Sequence, residues 1–136
     1  MKSTTVPGLR YRNAAAAIEW LCKAFGFEVF LSVPGEPGRI EHARLTLGTN
    51  MIMLASLDRE GDFEQSFTSP ADADGVTQCI FISTKDPDRI YTSAEAAGAT
   101  IIDSIADTQF GRTFSCRDIE SHLWVFTSHN PWEKGW

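Results

Sequence analysis

Residues able to do chemistry are few in this chain, and most lie on three short stretches. In RIEHARLTLG, Ala43, Leu45 and Leu47 form one face of an alternating strand pattern, while Ile40, His42, Arg44 and Thr46 form the other. A neutral imidazole on that second face can act as a general base, hydrogen-bond a ligand or change charge near neutral pH. A histidine satisfied by a neighbouring strand or by solvent reads the same way. Arg10 and Arg12 alternate with Leu9 and Tyr11, so an inward arginine could grip a carboxylate through two parallel hydrogen bonds. An exposed cation on a strand gives the same pattern. Phe110, Gly111 and Arg112 precede a closing pair of strands, where Phe110 offers a stacking surface. His122 shares a face with Trp124 and Phe126, which read as core, and His129 lies near the chain end. The three histidines show no metal-ligand spacing, and no nucleophile elbow, phosphate loop or Cys-x-x-Cys pair occurs. Cys22, Cys79 and Cys116 are widely spaced and odd in number, a pattern of reduced thiols.

The elements that must position these residues recur in one order. NAAAAIEWLCKAFG opens with Asn13 as N-cap, carries Ala14, Ile18, Leu21 and Phe25 as an apolar helical stripe, and stops at Gly26. A second helix repeats the plan. Asp86 caps it, Pro87 fits the first turn, Ile90, Ala94 and Ala97 share a face, and Gly98 ends it. Strands 6–11 and 78–84 precede the two helices, and three more follow each. These are FEVFLSV, RIEHARLTLG and NMIMLAS, then ATIIDSI, RTFSCRD and SHLWVFTS.

The expected fold is therefore α+β, with two tandem βαβββ modules whose curved mixed sheets enclose a cavity. One domain covers 1–136, with module one at 1–56, a connecting loop at 57–75 and module two at 76–136. The loop is polar and aperiodic, and reads either as a linker or as a cover over a site. The C-terminal HNPWEKGW, with two tryptophans, is expected to be packed or to lie at an interface.

Composition narrows the function classes. With 136 residues, 43% apolar and 22% charged, the chain suits one ordinary globular core. No apolar run approaches the roughly 20 residues that span a bilayer, and Lys2, Ser3, Thr4 and Thr5 do not open a signal peptide. No membrane partner and a cytoplasmic location are the default expectations. A net charge of −6 argues against nucleic acid and is compatible with a cationic ligand or with plain solubility.

In their order, PGLRYRNAAAAIEWLCKAFGFEV, HARLTLG and FGRTFSCRDIESHLWVFTSHNPW resemble the opening helix, third strand and closing hairpin of the vicinal oxygen chelate superfamily. That is the grouping of glyoxalase, bleomycin-resistance and extradiol-dioxygenase proteins. Asp118 keeps the aspartate of the family's closing turn, but Ile119 and Ser121 replace its usual Pro and Gly. The resemblance implies four inward strand positions that carry His, Glu or Gln in metal-using relatives. Here they map onto Val6, Met53 or Leu54, Cys79 and Val125, a poor set for a hard divalent ion. The expectation is no metal and no cofactor.

The resemblance then implies a homodimer that binds a small molecule between its sheets, as sequestration or resistance proteins do. The candidate ligand-binding residues are Arg10, His42, Arg44, Cys79, Phe81, Phe110, Arg112 and Val125. Two alternatives stay open. One is a metal-dependent lyase, dioxygenase or transferase using a divalent ion, which requires different strand registers. The other is a metal-free enzyme with His42 as base and Arg10 or Arg112 steadying an oxyanion.

Overall fold

The two modules fold as the repeat predicts. A computed structural model describes residues 1–134. Module one runs β1 (Gly8–Tyr11), α1 (Ala14–Phe25), β2 (Glu28–Pro34), β3 (Ile40–Leu47) and β4 (Asn50–Ser56). Two short helices, α2 (Asp62–Gln65) and α3 (Pro70–Ala73), interrupt the connecting segment. Module two runs β5 (Cys79–Ser83), α4 (Pro87–Ala96), β6 (Thr100–Thr108), β7 (Gly111–Arg117) and β8 (Leu123–Thr127).

Local signals fix the helix ends. Asn13 accepts from the Ala16 N–H at 3.1 Å, and Gly26 closes α1 in the left-handed conformation that glycine adopts without strain. Asp86 caps α4 through the Arg89 N–H at 3.2 Å. The sheets have the same order, β1-β4-β3-β2 and β5-β8-β7-β6. In each, the first strand runs parallel to the last, and the remaining pairs are antiparallel.

The period of two then separates the faces. Leu9, Tyr11, Ala43, Leu45, Ile52, Leu54, Trp124 and Phe126 are buried under the helices. Gly8, Arg10, His42, Arg44, Met53 and Val125 lie on the opposite face. Of the two residues considered for one family position, Met53 is therefore the one on the inward face, because Leu54 is core.

Both helices share one core. Alanine at 17, 24 and 94 is fully buried and lets α1 and α4 approach closely. Ser93 Oγ donates to the Ala24 carbonyl at 2.6 Å, and Trp20 Nε1 to the Ala97 carbonyl at 2.9 Å. Phe25 of α1 meets Trp124 and Phe126 of β8 with ring centroids 5.0 and 4.8 Å apart. Burial pushes the Cys116 thiol in this core up to about 12, so it is inert packing.

The β7–β8 turn makes the deepest polar tie between modules. Asp118, buried, accepts from Tyr11 Oη at 2.6 Å and Trp124 Nε1 at 3.0 Å on one oxygen. Its other oxygen accepts from the backbone N–H groups of Glu120 and His122. Burial first, and then the Asp118 charge, hold the Tyr11 hydroxyl protonated and so fix it as a donor. Glu120 reaches the Arg12 and Asn13 N–H groups at 2.7 and 2.8 Å, covering donors at the start of α1.

Two surfaces stay open. Strand β2 is exposed on both faces along its whole length, Val29, Phe30, Leu31 and Val33 included, and it is the free edge of its sheet. Near the C-terminus Trp132 is 91% exposed. Trp136, the other tryptophan of that segment, lies outside the described residues. No helix among the described residues is long and apolar enough to cross a membrane.

Replacing Asp118 by Ala leaves a buried phenol, an indole N–H and two amides without their acceptor. The expected loss is about 3–5 kcal/mol in urea unfolding, and about 2 kcal/mol for Tyr11→Phe. A loss below about 1 kcal/mol for Asp118→Ala would refute this role.

Candidate functional site

β1 and β5 are each the edge strand of their sheet, and a pocket of about 390 Å³ lies between them, at the seam of the two modules. Gly8, Leu9 and Arg10 line it from β1, Cys79 and Ile80 from β5, and His122 and Leu123 from the closing hairpin. The connecting segment supplies the remaining wall through Phe67, Ser69, Pro70 and Val76. Its size is that of a small-molecule site, and its lining is mostly apolar. The segment thus runs as a strap along one side of this pocket.

Charge holds the strap down. Residues 57–75 carry six carboxylates and one arginine. Arg10 grips Glu64 through Nε and Nη2, each 2.9 Å from one carboxylate oxygen, with both side chains only 12–13% exposed. The Phe67 ring lies over the same guanidinium, its centroid 4.2 Å from Cζ. Arg59 bridges Glu41 and Glu64 at 3.4 and 3.6 Å, and Arg12 pairs with Asp72 at the surface. Ser69 and Pro70 are buried against the body. Hydrogen bonding from Arg10 holds the Glu64 carboxyl below the ordinary glutamate range.

Of the eight residues singled out in the sequence, this pocket gathers Arg10 and Cys79. His42 and Arg44 sit on the inward face of β3 and pair with each other, Arg44 Nε donating to His42 Nε2 at 2.9 Å. Burial, and then the Arg44, Arg10 and Arg59 charges, push the His42 pKa below its ordinary value. The imidazole is therefore neutral near pH 7, and its Nε2 lone pair is engaged.

Phe81 and Val125 are register partners on the open face of the second sheet, with Phe81 49% exposed. Arg112 forks onto Asp88 at 3.0–3.3 Å and approaches Asp107 at 3.5 Å. The Phe110 carbonyl accepts from Thr127 Oγ1 at 3.1 Å, and its ring stands 6.2 Å from that of His129.

Sequence reasoning missed Glu64, Phe67 and His122 as parts of the site. His122 shares its strand face with Trp124 but lies at the seam, with Nε2 on the Arg10 carbonyl at 3.1 Å and its ring against Tyr11 at 4.7 Å. A carbonyl oxygen only accepts, so His122 Nε2 carries the proton. A signal for the strap contacts was present: an acidic segment in a chain whose β1 carries Arg10 followed by Arg12.

The metal question turns on donor chemistry. The four mapped positions supply one thioether, Met53, and one thiol, Cys79, while Val6 and Val125 offer no lone pairs. No group of three or more His, Cys, Asp or Glu among the described residues could hold an ion. These residues do not fit the hard divalent ion of metal-using relatives.

Comparison with known proteins agrees with the architecture. The family model for the Glyoxalase/Bleomycin resistance protein/Dioxygenase superfamily matches residues 4–126. Among solved structures, TioX from Micromonospora sp. ML1 is 31% identical with a TM-score of 0.73, covering 95% of this chain and all of that one. A mutant of FosX, a fosfomycin resistance protein from Listeria monocytogenes, was solved with Mn(II) and 1S,2S-dihydroxypropylphosphonic acid. It shares the fold at 13% identity and a TM-score of 0.63, covering 96% of this chain and 93% of that one. An uncharacterized protein of Mycobacterium bovis, Mb0911c, is 29% identical over 119 residues, 87% of this chain and 78% of its own length.

The Arg10–Glu64 pair sets a pH dependence. A depressed carboxyl pKa contributes stability above its unfolded value, and that contribution is lost as pH falls through the folded value. A carboxyl-carbon NMR titration should therefore show Glu64 titrating below the ordinary glutamate range, and returning to it in Arg10→Gln. An ordinary Glu64 titration in the unaltered protein would contradict the pairing.

Proposed function

The chain belongs to the glyoxalase/bleomycin resistance protein/dioxygenase superfamily, and from that membership we propose that it binds and holds a small, planar, largely apolar molecule in the seam pocket, without a metal ion. The observation that carries this reading is the pocket itself: a wall that includes Phe67, Pro70, Ile80 and Leu123, sized for a bicyclic ligand and flanked by the chain's own strap. The mapped metal positions supply too few donors, so binding rests on shape and apolar contact.

A holding role, of the sequestration or resistance kind, suits the groups present. The pocket's imidazole, His122, spends Nε2 on a backbone carbonyl, and its guanidinium, Arg10, spends its fork on Glu64. His42, the base of the enzymatic alternative, already accepts from Arg44 and is not among the pocket residues. FosX, which shares the fold, is itself a resistance protein, and the present reading places this chain in the same broad role with a different recognition chemistry.

Gly8 offers the direct test. It lines the pocket, its φ lies outside the left-handed region, and a Cβ built there meets nothing within 4 Å. Gly8→Leu therefore fits the backbone and fills the pocket. In an NMR titration with 2-naphthamide as a neutral planar probe, the unaltered protein should bind and Gly8→Leu should bind at least tenfold more weakly, with its urea midpoint retained. Equal binding by both proteins, or none by the unaltered one, would sink the proposal.

A further inference from the structure

Arg10 is the one charged side chain on the pocket wall among the described residues, and the chain itself occupies it. The geometry is the two-pronged, coplanar grip by which a guanidinium recognises a carboxylate. Its remaining recorded donor, Nη1, goes to the Leu9 carbonyl at 3.2 Å. Phe67 covers one guanidinium face at 4.2 Å, which favours flat molecules beside it.

The partner carboxylate comes from a weakly held element. Helix α2 has four residues, none of them buried, and its N-cap, Gly61, makes no side-chain cap bond. Phe63 next to Glu64 is 70% exposed. Glu64 is thus the principal tether of α2, reinforced by its longer contact to Arg59.

We propose that Glu64 is an internal stand-in for ligand: Arg10 is a carboxylate-binding position of the pocket, and a planar aromatic carboxylate displaces Glu64 and releases α2. This rests on the pocket reading above and adds the ligand's charge to it. Exchanging one carboxylate for another leaves the electrostatics of the half-buried arginine almost unchanged, because its desolvation is already offset in the free protein. The apolar ring entering the pocket then decides the exchange. The strap accordingly favours carboxylates that carry a ring over small free anions, which compete with Glu64 without that gain.

The test compares 2-naphthoate with neutral 2-naphthamide in NMR titrations of the unaltered protein, Glu64→Gln and Arg10→Gln, each first checked for native amide dispersion. Glu64→Gln should bind 2-naphthoate at least tenfold more tightly than the unaltered protein does, a larger gain than it shows for 2-naphthamide. Arg10→Gln should lose the preference for the acid. With the unaltered protein, 2-naphthoate should also speed tryptic cleavage after Arg59 at least threefold, reporting release of the strap. If both compounds bind and Glu64→Gln changes neither affinity, the ion pair is only a structural pin and this inference falls while the pocket reading stands. If neither compound binds any of the proteins, both fall.

Discussion

A single buried carboxylate sets the geometry on which the site depends. Asp118 collects four donors, from the Tyr11 phenol of β1, the Trp124 indole of β8 and two amides of its own turn. A charge taken out of water must be met by donors on all sides, and these four leave little latitude in where the end of β1 sits relative to the β7–β8 turn. Glu120, two residues on, fastens the same turn to the start of α1, and His122 fastens it to the Arg10 carbonyl. Among the described residues the two sheets share no strand pairing. The modules are held together by this turn and by the common core of Phe25, Trp124 and Phe126.

The pocket follows from that docking. The edge strands β1 and β5 leave a gap between them, and along it runs a strap whose acidic residues find arginines beside it. Arg10 takes Glu64, Arg12 takes Asp72, and Phe67 and Pro70 turn apolar surface inward. The arrangement joins a rigid seam, fixed by buried groups, to a cover held largely by ion pairs. The cover is the more easily moved part, because none of the four α2 residues is buried, whereas a buried carboxylate without donors costs about 3–5 kcal/mol.

The fold was legible in the sequence because its signals are local and repeated. Asn13 and Asp86, Gly26 and Gly98, and the strand patterns around them recur in the same order, and each cap acts within a few residues of itself. Strand parity also read correctly, placing Trp124 and Phe126 under the helices and His42 and Arg44 on the opposite face. A strand face is not a pocket, however. Which residues converge depends on how the two modules dock and on where a nineteen-residue segment folds back, and no periodicity encodes either. His122 shows the difference: its parity matches Trp124, yet its position at the end of the strand places it at the seam. Glu64 and Phe67 lie more than fifty residues from Arg10, and only charge complementarity hinted at their meeting.

The central claim is that ligand sits at the seam and not on a metal site between the inward sheet faces. Isotope-filtered NOEs between unlabelled 2-naphthamide and carbon-13-labelled protein test it most directly. The account predicts contacts from the probe's ring protons to Gly8, Phe67, Ile80 and Leu123. Contacts confined to Met53, Phe81 and Val125, appearing only after a divalent ion is added, would contradict it.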